Sequence, residues 1–403
     1  MHPKDLSIKD FTYSLPEERI AKYPLPERDA SRLLICKKGT ITEDFYKNIA
    51  DHLPQNSLLI FNDTKVIEAR LLFQKLSGAV IEIFCLAPGE QYPDITTALS
   101  QQAKVLWQCL IGRASKWKPG QTLEKKIGEI ILQAKYAEKK ADSFIIELSW
   151  TPAHLSFAEV LHTAGAIPLP PYIKREPGKT DTERYQTVYA NEEGSVAAPT
   201  AGLHFSKNIF ESLHQKNVQT DFITLHVGAG TFKPVKAETL EGHEMHSEFI
   251  DVSANTIKNI LENSDNTIVA VGTTALRTIE SLYWIGVKKA TVGSQRSAEI
   301  TQWEVYDELN GSISSKEALQ SLLNWMEKND LKRLLTKTQI IIAPGYKPKI
   351  AQALVTNFHQ PQSTLLLLVA ALIGNDWRKV YDHALKNNFR FLSYGDGTLL
   401  WVN

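Results

Sequence analysis

At 403 residues and 43% apolar, the chain has the length for more than one domain and is too apolar to be disordered. Lys and Arg number 45, as do Asp and Glu, which excludes a uniformly basic coat for nucleic acid while leaving room for a local basic patch. Cys36, Cys85 and Cys109 match no zinc or disulfide spacing, and the longest apolar run, 365–373, is too short for a membrane span, so the sequence reads as that of a cytoplasmic protein.

The first elements are short. "SRLLICKKGTITEDFY" (31–46) predicts a hairpin and "SLLIFND" (57–63) a buried strand. From residue 66 to 152 the texture changes to "ARLLFQ", "AVIEIFCLA", "KVLWQCLIG", "EIILQAKYA" and "SFIIELSW", separated by turn residues and with no amphipathic helix between them. Strands so spaced predict a small antiparallel barrel or sandwich. "LSFAEVLHTAG" (155–165) then opens a helix, with Ser156 and Glu159 as a capping box and Gly165 at its end.

Beyond this point strand and helix patterns alternate. "FITLHVG", "TIVAVG", "TQIIIAPG" and "ALVTNF" read as buried strands; "KNIFESLHQ", "TALRTIESLYW" and "STLLLLVAALIG" read as helices. The economical architecture is a discontinuous α/β domain, residues 1–65 and 153–403, interrupted by an all-β insertion at 66–152. Residues 302–330 read as a surface addition, a loop followed by a helix that Ser314 and Glu317 cap.

Four strand ends share one low-bulk, polar chemistry. They are "SVAAPTAGLHF" with Thr200, Gly202 and His204; "TLHVGAGTF" with His226, Gly228, Gly230 and Thr231; "VAVGTTALR" with Gly272, Thr273, Thr274 and Arg277; and "VTNFHQPQSTLL" with Asn357, His359 and Ser363. In open α/β sheets ligands sit beyond the carboxyl ends of strands, where small residues admit them to the backbone and helix-start amides face anionic groups. Taken singly, Thr273 and Ser363 also suit helix caps, and a turn accounts for Gly228 and Gly230. The pair His243 and His246 has a spacing that suits a metal but lacks a defined third ligand, so the signal is weak. No P-loop, dinucleotide fingerprint or serine nucleophile elbow is present.

Two long stretches lack acids. One carries Lys104, Arg113, Lys116 and Lys118 with Trp107 and Trp117 among them; the other carries Lys332, Arg333, Lys337, Lys347 and Lys349. Cations interleaved with aromatics suit RNA with an unstacked base, and an ordinary solvated face is the alternative.

The ordered set "LPEERIAKYPLPERDASRLL", "FNDTKVIEARL", "PLPPYIKREPGKTDTERYQTVYANEEGSVAAPTAGLHF", "TLHVGAGTFKPV", "HEMHSE", "VGTTALRTIES", "PGY", "TNFHQPQSTLLLLV" and "FRFLSYGD" closely resembles the S-adenosylmethionine:tRNA ribosyltransferase-isomerase family of the queuosine pathway, over nearly the whole chain. The resemblance implies a barrel-like α/β main domain with an inserted β-barrel. It implies transfer and isomerisation of the ribosyl part of S-adenosylmethionine onto 7-aminomethyl-7-deazaguanine at the tRNA wobble position, giving epoxyqueuosine, adenine and methionine. S-adenosylmethionine is then a consumed substrate, with no cofactor, no metal, no membrane and no obligate protein partner. For such chemistry His204, His226 and His359 are the candidate proton movers. Thr273, Thr274 and Arg277 are candidates to hold the methionine carboxylate, and Asp181, Arg184, Tyr185 and Gln186 to close over the substrate. Tyr394 and Asp396 are candidates for a ribose or base edge.

The chain departs from the family pattern at Pro348, Gln352, Gln360, Gly397 and Thr398, in "IGRASKWKPGQ", and in the segment near 301–330. A relative acting on another acceptor, or a silent tRNA-binding module, therefore stands as an alternative.

Overall fold

The computed structural model describes residues 2–75, 77–178, 180–228, 237–291 and 297–403. Strands β1 (Arg32–Lys37) and β2 (Thr40–Phe45) form the expected hairpin. Lys38 and Gly39 at its tip have φ of 50° and 74°, the two left-handed residues of a tight turn that matches strand twist. Next come β3 (Leu58–Asn62), β4 (Thr64–Val66), β5 (Arg70–Gln74), β6 (Val80–Pro88), β7 (Lys104–Gly112), β8 (Thr122–Ile127), β9 (Ile130–Lys139), β10 (Phe144–Thr151) and the two-residue β11 (Gly165–Ala166). Strands β5 to β11 make one antiparallel sheet in the order β11-β5-β6-β7-β10-β9-β8, and it curls until β8 packs near β5.

Alternation fills that curl. Val105, Trp107 and Cys109 of β7 point inward with Ile81, Ile83 and Cys85 of β6. A five-residue helix, α1 (Ile95–Leu99), capped by Asp94, does interrupt these strands, contrary to the sequence expectation. Helix α2 (Phe157–Ala164) follows with the expected reciprocal capping box, Ser156 N donating to Glu159 at 2.7 Å. Gly165 ends it in extended backbone, because a Cβ there would lie 1.9 Å from the Glu68 carbonyl oxygen.

The remaining elements are α3 (Asp181–Arg184), β12 (Glu192–Ser195), α4 (Lys207–Gln215), β13 (Gln219–His226), β14 (Glu248–Ser253), α5 (Ala254–Glu262), β15 (Ile268–Val271), α6 (Thr273–Thr291), α7 (Glu304–Asp307), α8 (Ser315–Lys328), β16 (Arg333–Thr338), β17 (Ala353–Asn357), α9 (Thr364–Ile373), α10 (Asp376–Lys386) and β18 (Gly397–Trp401). A nine-stranded sheet runs β16-β14-β13-β3-β15-β17-β18-β1-β2, with β13, β3, β15 and β17 mutually parallel at its centre. No pairing joins β16 to β2 among the described residues, so this sheet is open where a barrel-like one was expected. Strands β3, β15 and β17 bury apolar side chains on both sides. Leu58 and Ile60 join the core beneath α5, α6, α8, α9 and α10, while Leu59 and Phe61 join the core beneath α4.

Two further expectations need correction. The run "TQIIIAPG" supplies only the end of β16. Residues 339–345 leave the ladder, and Ile340, Ile341 and Ile342 form a buried wall instead. Residues 302–330 are no surface addition, although Ser314 and Glu317 do form their capping box. Ala318, Leu319, Leu322 and Met326 of α8 are buried against α6. Gly286 of α6 makes that approach possible, since a Cβ would stand 2.1 Å from the Ala318 carbonyl oxygen. Among the described residues no helix is long and apolar enough to cross a membrane.

Candidate active site

The carboxyl ends of β13, β15 and β17 meet at one cleft. Residues 197–201, Val227, Gly272–Thr274 and Thr356–Gln360 line it, joined by Ser363 and Leu365 and by Tyr172 and Tyr185 opposite. Three of the four low-bulk strand ends thus reach the cleft through Thr200, Thr273 and Thr274, and Asn357, His359 and Ser363; the fourth reaches it through Val227. Gly272 has φ of 93° and donates its N–H to Val355 at 2.8 Å, which lets β15 turn directly into α6.

Asn357 is the hub of the polar wall. Thr200 Oγ1 donates to its Oδ1 at 2.8 Å, and its Nδ2 reaches His204 Nε2 at 3.1 Å. With Asn357 donating, His204 carries its proton on Nδ1. The His204 ring stacks on Tyr46 at 4.3 Å and lies one layer behind the cleft. Burial pushes its pKa down to about 3. His359, by contrast, is on the cleft wall. Its Nε2 lies 3.0 Å from Thr356 Oγ1, its N–H donates to the Tyr381 hydroxyl, and Tyr13 donates to its carbonyl. Burial again lowers the pKa to about 3. His226 ends β13 with Nδ1 3.0 Å from Thr64 Oγ1, against Gly194, and burial lowers it to about 4. All three imidazoles are neutral at pH 7.

Several candidates are engaged elsewhere. Asp181 is gripped by both Arg175 terminal nitrogens at 2.6 and 2.8 Å, by Gly178 N and by the Tyr394 hydroxyl. Arg184 donates to the carbonyls of Leu25 and Pro26, and Gln186 brackets the Val66 backbone. Asp396 accepts from Arg32 N and Arg390 N at 2.9 and 2.8 Å. These groups tie the N-terminal segment to the body of the fold, and of this set only Tyr185 lines the cleft. Gly202 faces Tyr189, whose hydroxyl would lie 1.9 Å from an added Cβ, and Gly228 faces open space. Arg277 lines a second cavity, paired with Glu248. Gly230 and Thr231 lie outside the described residues.

Sequence reasoning missed Asn62 and Asp63. Buried Asn62 donates to Thr274 Oγ1 at 3.1 Å and closes both of its polar ends on Leu225, joining β3 to the cleft wall. Asp63 accepts from Thr224 at 2.7 Å, and burial pushes its carboxyl up to about 6. The signal was an amide and an acid ending an otherwise wholly apolar strand.

The cations divide. Lys104, Arg113, Lys116 and Lys118 are exposed on the curled sheet, and Lys347 is exposed on the large one's side. Lys349 points its ammonium at the Gly311 carbonyl, 3.2 Å away, over the Trp284 ring. Trp107 and Trp117 are core residues, so neither indole offers a stacking platform among the first cation group.

Hydroxyl, amide and imidazole groups gathered at parallel strand ends define an α/β enzyme, and its class is that of a transferase-isomerase. The family described as "Queuosine biosynthesis protein" matches residues 8–400, and the chain belongs to it. The S-adenosylmethionine:tRNA ribosyltransferase-isomerase of Magnetococcus marinus is 36% identical over 98% of this chain and 94% of its own length. That of Halothermothrix orenii is 37% identical over 98% of this chain and 100% of its own. A solved structure, the S-adenosylmethionine tRNA ribosyltransferase of Thermotoga maritima, matches 97% of this chain and 99% of its own at 28% identity, with a TM-score of 0.46.

Proposed function

We propose that this enzyme transfers the ribosyl part of S-adenosylmethionine to a 7-aminomethyl-7-deazaguanine in the wobble position of tRNA, isomerising it to the epoxycyclopentane of epoxyqueuosine and releasing adenine and methionine. The observation that carries the reading is the gathering of the low-bulk strand ends on one cleft. In this reading S-adenosylmethionine is substrate and no cofactor takes part. Residues 66–152 are an insertion that turns Lys104, Arg113, Lys116 and Lys118 toward tRNA, and the enzyme works in the cytoplasm.

The sulfonium acidifies the ribose C5′–H, and the carbanion left by deprotonation is held by the adjacent positive sulfur. His359 is the imidazole on the wall and takes that proton. Burial makes its imidazolium a strong acid, suited to return the proton to the departing adenine. The aminomethyl nitrogen bonds to C1′ as adenine leaves and sheds a proton. The C1′–O4′ bond then opens to an iminium, its electron pair going to O4′, and the C5′ carbanion adds to C1′ to close the five-carbon ring, leaving O4′ on C4′ to attack C5′. Epoxide closure breaks the C5′–S bond and frees methionine. His204 is a positioning residue: through Asn357 it fixes Thr200 at the cleft.

Incubating the protein with S-adenosylmethionine and precursor-bearing tRNA is expected to release adenine, and omitting that tRNA to abolish it. Release with another acceptor alone would point to the divergent-acceptor alternative, and no release with any acceptor would sink the proposal. In the same assay Asn357→Ala, which strands two hydrogen-bonding groups, is expected to lower kcat on the order of 10–100-fold. His204→Ala should follow it. Undiminished turnover in a His204→Ala protein that still binds S-adenosylmethionine would remove the Asn357 hub from the mechanism.

A further inference from the structure

A second cavity lies across the start of α9 from the first. Leu365 lines both; Ser363 faces the cleft, while Thr364 and Leu368 face the second space. Met245, Ile340 and Ile342 supply its apolar wall, His243 and His246 line it as well, and the Arg277–Glu248 pair borders it. Both charged side chains are more than nine-tenths buried, at 7% and 5% exposure. Arg277 donates through Nη1 to Glu248 and through Nε to the Ile340 carbonyl at 3.1 Å. Its Nη2 is buried and meets no partner among the described residues.

A guanidinium taken out of water with one donor nitrogen idle is costly unless something else accepts from it. What borders the cavity is a buried cation beside a buried anion, at the end of an apolar chamber. That is the complement of an α-amino acid head group, carboxylate toward the fork and ammonium toward the acid, with apolar wall beside it for a thioether-like chain. A purely structural pair would ask for neither the idle nitrogen nor the chamber.

We infer that the second cavity takes the methionyl arm of S-adenosylmethionine, its carboxylate on Arg277 Nη2 and its ammonium on Glu248, while the nucleoside occupies the first cleft. The inference rests on the proposed function. Of the three residues that the sequence suggested for the carboxylate it keeps Arg277 and leaves out Thr273 and Thr274, and it gives Glu248 a role no sequence pattern marked.

The test compares binding of S-adenosylmethionine and of 5′-methylthioadenosine, which has the nucleoside and sulfur but no amino-acid head. Arg277→Lys keeps the charge opposite Glu248 and removes the fork. It is expected to weaken S-adenosylmethionine on the order of 10–100-fold and to leave 5′-methylthioadenosine unchanged. Arg277→Met/Glu248→Gln, which leaves no unpaired charge in the core, should show the same split if the single variant fails to fold. Equal weakening of both compounds, or of neither, in a variant that keeps the wild-type melting profile would overturn the inference. If the wild-type protein binds neither compound, the functional reading itself falls, a result distinct from loss of the split.

Discussion

A Glu280→Ala protein is expected to lose on the order of 4–12 kcal/mol of folding stability, at about 1–3 kcal/mol for each of four donors left without an acceptor. Glu280 lies in the middle of α6 with no exposed surface. Its Oε2 accepts from the Tyr346 hydroxyl and from Lys349 N, both at 2.7 Å; its Oε1 accepts from Ile350 N and Ala351 N at 2.9 and 3.0 Å. Trp284 of the same helix donates to Tyr346, so the network closes on itself. One carboxylate thus holds the irregular chain that feeds β17, and β17 ends in Asn357 and leads to His359. The loss would take much of the 5–15 kcal/mol that holds a typical protein folded. Glu280→Gln, whose amide oxygen still accepts but whose NH2 faces two N–H groups, should lie between wild type and Ala. Urea unfolding followed by circular dichroism measures both; an Ala variant within 1 kcal/mol of wild type would show that the four bonds do not hold the segment.

The local parts of this fold are written in local sequence. The hairpin at 31–46 has its turn residues, both capping boxes have their Ser and Glu, and β3 is apolar as far as Asn62. Alternation in "KVLWQC" even states that Trp107 belongs with Val105 and Cys109 inside the curl, a signal that the neighbouring cations obscured. What was not legible depends on distant partners. Three consecutive isoleucines fit a strand and a cavity wall equally well, and only Arg277 and α9 opposite decide it. Gly286, in the interior of a helix, hinted at a close crossing without saying that α8 makes it. Asp181 and Asp396 show the same limit at the site, because a buried clamp and a ligand-binding acid use the same residue types.

Lowering the pH from 8 to 5 is expected to cost the fold about 6 kcal/mol through three histidines, a loss that buried carboxyls offset in part. His204 and His359 titrate near 3 and His226 near 4 in the folded protein, against 6.5 when released, all chiefly because burial disfavours the charged ring. Below pH 6.5 the unfolded chain therefore takes up protons that the folded chain refuses, and stability falls until the folded pKa values are reached. At pH 5 this is about 2 kcal/mol for each ring, from 1.36 kcal/mol per pH unit. Asp63 works in the opposite sense: its carboxyl, raised to about 6, favours folding as pH falls and offsets about 1 kcal/mol. Glu280 and Asp396, also raised by burial, share its sign. Carboxylates held below their usual range, such as Asp181 and Glu43, begin to matter only at lower pH. Between pH 6.5 and 5 the three rings should accordingly give the stability curve the slope of proton uptake on unfolding, reduced by the buried carboxyls. His359→Gln should reduce that slope by about one proton, because its amide does not titrate. The comparison is made on slopes, so a uniform destabilisation by the substitution leaves it intact. An unchanged slope would mean that His359 is not held neutral by the fold, and with it would go the premise that the imidazole on the cleft wall is free to accept a proton.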